Sequence, residues 1–104
     1  MGDDMGTVWV SKWALTDGIE EERVTGRDGD RVVVVPSWSK GAGILLGPDD
    51  WHETREEAVE RAEFLRDSTL AYLDGVAKDK RQPASRRRQA RTRRTKYRKL
   101  NFED

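Results

Sequence analysis

Thr54-Arg55-Glu56-Glu57-Ala58-Val59-Glu60-Arg61-Ala62 is the stretch on which the fold turns. Its first four residues fit a capping box, in which the Thr hydroxyl accepts from the amide three residues on while a Glu reaches back to the cap amide. A helix should start there. Downstream, Ala58, Val59, Ala62, Leu65, Thr69, Tyr72, Leu73 and Val76 make an apolar stripe near the 3.6-residue period, with Glu56, Glu60, Glu63 and Asp67 facing water. The negative charges sit early in the helix, where the macrodipole favours them. Gly75 and Pro83 bracket its expected end near Lys78, and residues 79–84 read as a hinge.

Upstream of the cap the pattern is that of strands. Gly47-Pro48-Asp49-Asp50 is a turn, preceded by Ile44-Leu45-Leu46 as a short fourth strand and by the loop-like Ser37–Gly43. Val32–Val35 is a continuous apolar run ended by Pro36, and is expected to be the central, most buried strand. Gly26-Arg27-Asp28-Gly29-Asp30 supplies a turn, because Asp-Gly tolerates the positive φ of tight hairpins. Before it, Ile19–Val24 reads as a highly charged strand whose Glu20, Glu21 and Glu22 mark a sheet edge. Thr7–Trp13 alternates, with Val8 and Val10 on one face and Trp9, Ser11 and Trp13 on the other. Each Trp can bury about 150–250 Å², so Trp9, Trp13, Trp38 and Trp51 are expected to form much of the core.

The fold class that follows is α+β: an antiparallel meander of three to four strands packed on one C-terminal helix from about Thr54 to Lys78, then a basic arm. A formal net charge of zero conceals the division. Residues 1–79 carry a net −9 and form a small acidic domain, whereas residues 80–104 hold 11 of the 20 basic side chains and carry a net +9. Arg86–Lys99 has no apolar face, so this arm is expected to be flexible or only partly helical, with Leu100 and Phe102 as its anchors.

Several classes of function fall away. Zero Cys removes disulfides, thiol catalysis and Cys-based metal sites. No stretch approaches the 18 or so apolar residues of a membrane span, and Met1-Gly2-Asp3-Asp4 has the wrong charge for a signal peptide. A cytoplasmic protein is the expectation. His52, the single His, lies among Asp49, Asp50 and Glu53, but one His without Cys makes a poor transition-metal site. It is expected to pack beside Trp51 and fix the approach to the helix. Gly41-Ala42-Gly43 and Gly47-Pro48 match neither phosphate-loop pattern. The chain therefore reads as a non-enzyme that needs no cofactor or metal.

The arm carries the functional argument. Arg86, Arg87, Arg88, Arg91, Arg93, Arg94, Lys96, Arg98 and Lys99 have the charge to neutralise phosphates of RNA or DNA, alone or in a nucleoprotein complex. With Tyr97 its only aromatic, the arm is not expected to read sequence by stacking. The alternative lies in the acidic body, where Asp17, Glu20, Glu21 and Glu22, with Asp28, Asp30, Asp49 and Asp50, would imitate a phosphate backbone and occupy the nucleic-acid groove of a partner protein.

Two blocks, Ser11-Lys12-Trp13-Ala14-Leu15-Thr16-Asp17-Gly18-Ile19 and Asp50-Trp51-His52-Glu53-Thr54-Arg55-Glu56-Glu57-Ala58 followed by Arg61-Ala62-Glu63, resemble short proteins encoded in phage and prophage genomes. Their pattern is approximately S-K-aromatic-A-L-T-x-G-I, then D-W-H-x-T-x-E-E-A-x-x-R-A-E. The resemblance spans about half the chain. It implies a small phage accessory protein acting in the host-cell cytoplasm, and, for the acidic alternative, an inhibitor whose partner is a host defence or transcription protein; it assigns no activity and no functional residue. Similar proteins continue the helix into a Lys-rich stretch ending near a Phe, whereas here Gly75 and Pro83 intervene and Arg replaces Lys.

Overall fold

The computed structural model describes residues 6–102, so the N-terminal Met1-Gly2-Asp3-Asp4 lies outside the described residues. The elements are β1 (Thr7–Val10), β2 (Glu20–Asp28), β3 (Arg31–Val34), a 3-10 turn at Ser37–Ser39, β4 (Ile44–Leu46), β5 (Trp51–His52), α1 (Arg55–Lys78) and α2 (Ala84–Arg98). All strand pairs are antiparallel, in the order β4-β3-β2-β1-β5. The α+β expectation holds, with one more strand and one more helix than the sequence suggests.

The meander curls until its ends approach each other. Trp51 on β5 donates its indole N–H to the carbonyl of Asp30 in the β2–β3 turn, at 3.0 Å. Inside the curl lie Val8, Val10, Val24, Val32, Val34 and Leu46. Strand alternation places every second side chain inward, so Val33 is half-buried and Val35 exposed. β3 is thus buried on one face only. The centre of the sheet is β2, flanked by β1 and β3; its charged residues do not mark an edge. The β2–β3 hairpin is also tighter than Gly26–Asp30. Strand pairing runs to Asp28 opposite Arg31, past an irregularity between Val24 and Gly26, and leaves Gly29-Asp30 as the loop. Gly29 at φ 65° supplies the positive φ that a type II′ turn needs at its first position.

The Trp residues are not the core. Trp9, Trp13 and Trp51 are half-buried and Trp38 is 49% exposed, with its ring edge-on to Trp13 at 5.0 Å. Val8 and Val10 take the inward positions of β1 and leave Trp9 on its other face, while Trp13 and Trp51 pack against the aliphatic cluster as partly buried neighbours.

Thr54 caps α1 as expected, its hydroxyl accepting from Glu57 N–H at 3.2 Å. The reciprocal bond falls one residue early, because Glu57 accepts from the Glu53 amide at 3.3 Å. α1 packs on β1, β5 and α2, burying Ala58, Val59, Ala62, Leu73 and Ala77, and Gly75 lies inside it without ending it. At 24 residues α1 is about 36 Å long. It carries the helices past the sheet, so the radius of gyration is 16.8 Å against about 13 Å for a compact chain of this length.

Residues 84–98 are a helix returning along α1. Ala90 and Tyr97 meet Leu73, Val76 and Ala77, and Phe102, 6% exposed, joins Ala14, Val59 and Ala62. A single small residue at the seam is enough for two backbones to approach, which is why no apolar periodicity announces α2. The expected hinge is a tight turn in which Asp79 accepts from the amide and guanidinium of Arg81, both at 3.0 Å.

Candidate nucleic-acid interface on the helical hairpin

Docking on α1 sorts the nine basic side chains of α2 and its C-cap. Arg94 is committed: its Nη1 donates to Asp74 at 2.6 Å, while Lys78 holds the other carboxylate oxygen at 3.0 Å. These two cations keep the Asp74 carboxyl below its ordinary range. Arg87 is half-buried and donates to the carbonyl of Gln82 at 3.3 Å. Arg86, Arg88, Arg91, Arg93, Lys96, Arg98 and Lys99 are exposed. Among the described residues none of these seven has a carboxylate within 4 Å.

At 100° per residue, Arg88 and Lys99 point away from Ala90. Arg91 and Arg98 share the flank of Arg94, and Arg86, Arg93 and Lys96 share the other flank with Gln89. Cations therefore cover three sides of α2. Thr92 and Thr95 return their hydroxyls to the carbonyls of Arg88 and Arg91, at 3.2 and 3.1 Å, and add no charge. Two Arg side chains of α1 fix the end of this surface. Arg55 Nη2 donates to the carbonyl of Phe102 at 2.8 Å, and Arg66 Nη1 to that of Leu100 at 3.2 Å. Nothing in the local sequence distinguishes them from solvated helix charges; their role exists only once the chain end has docked.

The acidic candidates are less well gathered. Glu20 and Glu22 share the side of β2 that Val24 turns inward, while Glu21 faces the other way and accepts from the Thr7 hydroxyl at 2.6 Å. Partial burial, reinforced by Glu20, raises the Glu22 carboxyl above its ordinary value. Asp17 is exposed in the β1–β2 connection. Asp17, Glu20, Glu21 and Glu22 do not form one strip.

A cleft of about 580 Å³ opens between β5 and the first turns of α1, lined by Trp51, His52, Glu53, Glu57, Arg61 and Phe64 among others. His52 Nε2 lies 2.8 Å from the hydroxyl of Ser11, which is fully buried. Burial lowers the His52 pKa. The pair tethers β5 to the end of β1, in keeping with a positioning role for His52. Among the described residues no group of three or more His, Asp or Glu is arranged to hold a metal, and no helix is long and apolar enough to cross a membrane.

Compared with known protein families, curated proteins and solved structures, the chain matches none.

Proposed function

We propose that this protein is a small phage-type accessory protein that binds nucleic acid, alone or within a nucleoprotein complex, through the basic surface of α2. One observation carries the reading: seven exposed cations are displayed on an ordered helix with no carboxylate neighbour among the described residues. Of these, Arg88, Arg91 and Arg98 lie toward one side of α2 and extend about 15 Å, a length that faces about four phosphates of one strand. Arginine's planar fork suits such phosphates bidentately. The acidic-inhibitor alternative has less support, because β2 divides its residues between two faces.

Deleting residues 81–104 is a poor test, since it strips Phe102 and Ala90 from the packing of α1. The clean variant is Arg88→Gln/Arg91→Gln/Arg98→Gln in the full chain, measured against RNA and DNA across a salt series. Each lost phosphate contact should lower the slope of log K against log salt by about 1, so the triple variant should lose about 3. Arg94→Gln, already paired with Asp74, should change the slope far less. Failure of the unaltered chain to bind either nucleic acid at low salt would sink the proposal.

A further inference from the structure

The two edges of the helical hairpin are built differently. On one, Asp74 closes the gap by binding Lys78 and Arg94. On the other, a groove of about 150 Å³ remains between Tyr72 and Val76 of α1 and Arg86, Gln89 and Arg93 of α2. It continues into a shallower depression of about 340 Å³ that shares Gln89 and Arg93 and adds Arg88, Ser85 and Thr92. Tyr72 is 69% exposed and lines the groove together with Arg86 and Arg93.

We infer that this groove is a site for single-stranded nucleic acid, in which an unpaired base stacks on Tyr72 and the flanking phosphates are held by Arg86, Arg93 and Arg88. The inference rests on the reading that α2 binds nucleic acid and names the form that is bound. Stacking on an aromatic ring is available only to a base turned out of its helix, whereas cations alone favour a duplex at least as well. Taken alone, α2 offers no such ring, because Tyr97 lies against α1 and beneath the Arg93 guanidinium, 5.8 Å from its centroid. Only the fold brings Tyr72 of α1 beside the cations. Arg93, extended over Tyr97, and Arg86, whose Nη1 donates to Gln82 Oε1 at 3.3 Å, keep their charge beside the ring because both partners are neutral. Gln89 adds an amide that both donates and accepts, suited to a base edge.

The test uses the full chain and labelled oligouridylate, oligothymidylate and a duplex of equal length, each about twelve nucleotides, followed by fluorescence anisotropy. Single strands should bind more tightly than the duplex. Tyr72→Ala should weaken single-strand binding about tenfold, leave duplex binding within about twofold, and be rescued by Tyr72→Phe. The tighter of the two single strands, compared also with oligodeoxyuridylate so that the thymine methyl group is removed from the comparison, then identifies the sugar. Circular dichroism of the variants checks folding, which the exposure of Tyr72 should spare. Duplex binding that equals single-strand binding, or a Tyr72→Ala variant that loses both equally or neither, overturns the inference while leaving α2 as a nucleic-acid surface. Absence of binding to all three probes overturns both.

Discussion

In the curled sheet, six aliphatic side chains from four strands meet in one closed cluster, whereas the helices meet through a smaller cluster of Leu73, Val76 and Ala77 with Ala90 and Tyr97 and through the Asp74–Arg94 ion pair. The sheet is held by its interior. The hairpin is held by its ends: Asp79 fixes the turn at one, and Phe102, with Arg55 and Arg66 on the last carbonyls, fixes the other. Such a helix can be largely cationic, because within it only Ala90, Tyr97 and the Arg94–Asp74 pair need meet α1, the other anchors lying beyond the charged segment. That is how residues 84–98 stay helical without an apolar face.

The strongest way to break this contrast is Phe102→Ala. Truncating a buried Phe costs about 3 kcal/mol or more, and here the loss should fall on α2. Hydrogen exchange should accelerate through residues 84–100 while the amides of β1, β2 and β3 keep most of their protection. Uniform loss of protection in the sheet and α2 would mean that the two regions form one cooperative unit and the chain-end latch is not separable. A smaller effect is expected at the junction, where Thr54→Ala removes the hydroxyl that caps Glu57 N–H. Loss of such a cap costs about 1 kcal/mol, visible as a lower urea midpoint with an unchanged slope. Thr54→Ser should restore it.

The same contrast explains what could be read from the chain. Thr54-Arg55-Glu56-Glu57 announces α1 because a cap is a local device whose donor and acceptor lie three residues apart. Val8 and Val10 announce a strand by alternation and Val32–Val35 by a continuous apolar run, both local patterns, although the run does not show that only Val32 and Val34 turn inward. Trp51-His52 does not read as a strand: two residues carry no period, and β5 exists only because β1 lies alongside. The Trp residues mislead because ring size alone does not say which face of a strand turns inward: Val8 and Val10 take the inner face of β1, and Trp13 and Trp51 are left to flank the cluster. At the candidate site, charge was legible and arrangement was not. Composition shows the cations of α2, but the pairing of Arg94 with Asp74 and the approach of Tyr72 to Arg93 join residues about 20 apart in sequence, set by the length of α1 and its turn.

The smallest predicted effect separates the regions by pH. His52 lies in the cleft beside α1, where burial, aided by Arg61 and opposed by Glu57, Asp49 and Asp50, lowers its pKa from the ordinary 6.5. Below pH 6.5 the unfolded chain takes up a proton that the folded one refuses, so stability should fall as pH drops from about 6.5 toward the depressed folded value. Asp74 works in a different window. Lys78 and Arg94 hold its carboxyl below the ordinary 3.8, so its contribution is complete above that value and disappears as pH falls through the folded one. Urea midpoints measured from about pH 7 to pH 2 should show both declines. His52→Gln should flatten only the upper one and Asp74→Asn only the lower, because the first group, between β5 and the end of β1, titrates below 6.5 and the second, between the two helices, below 3.8. If His52→Gln leaves the decline between about pH 7 and pH 5 unchanged, burial in the cleft is not its source; if Asp74→Asn alters it, the edge of the hairpin and the cleft are coupled through α1.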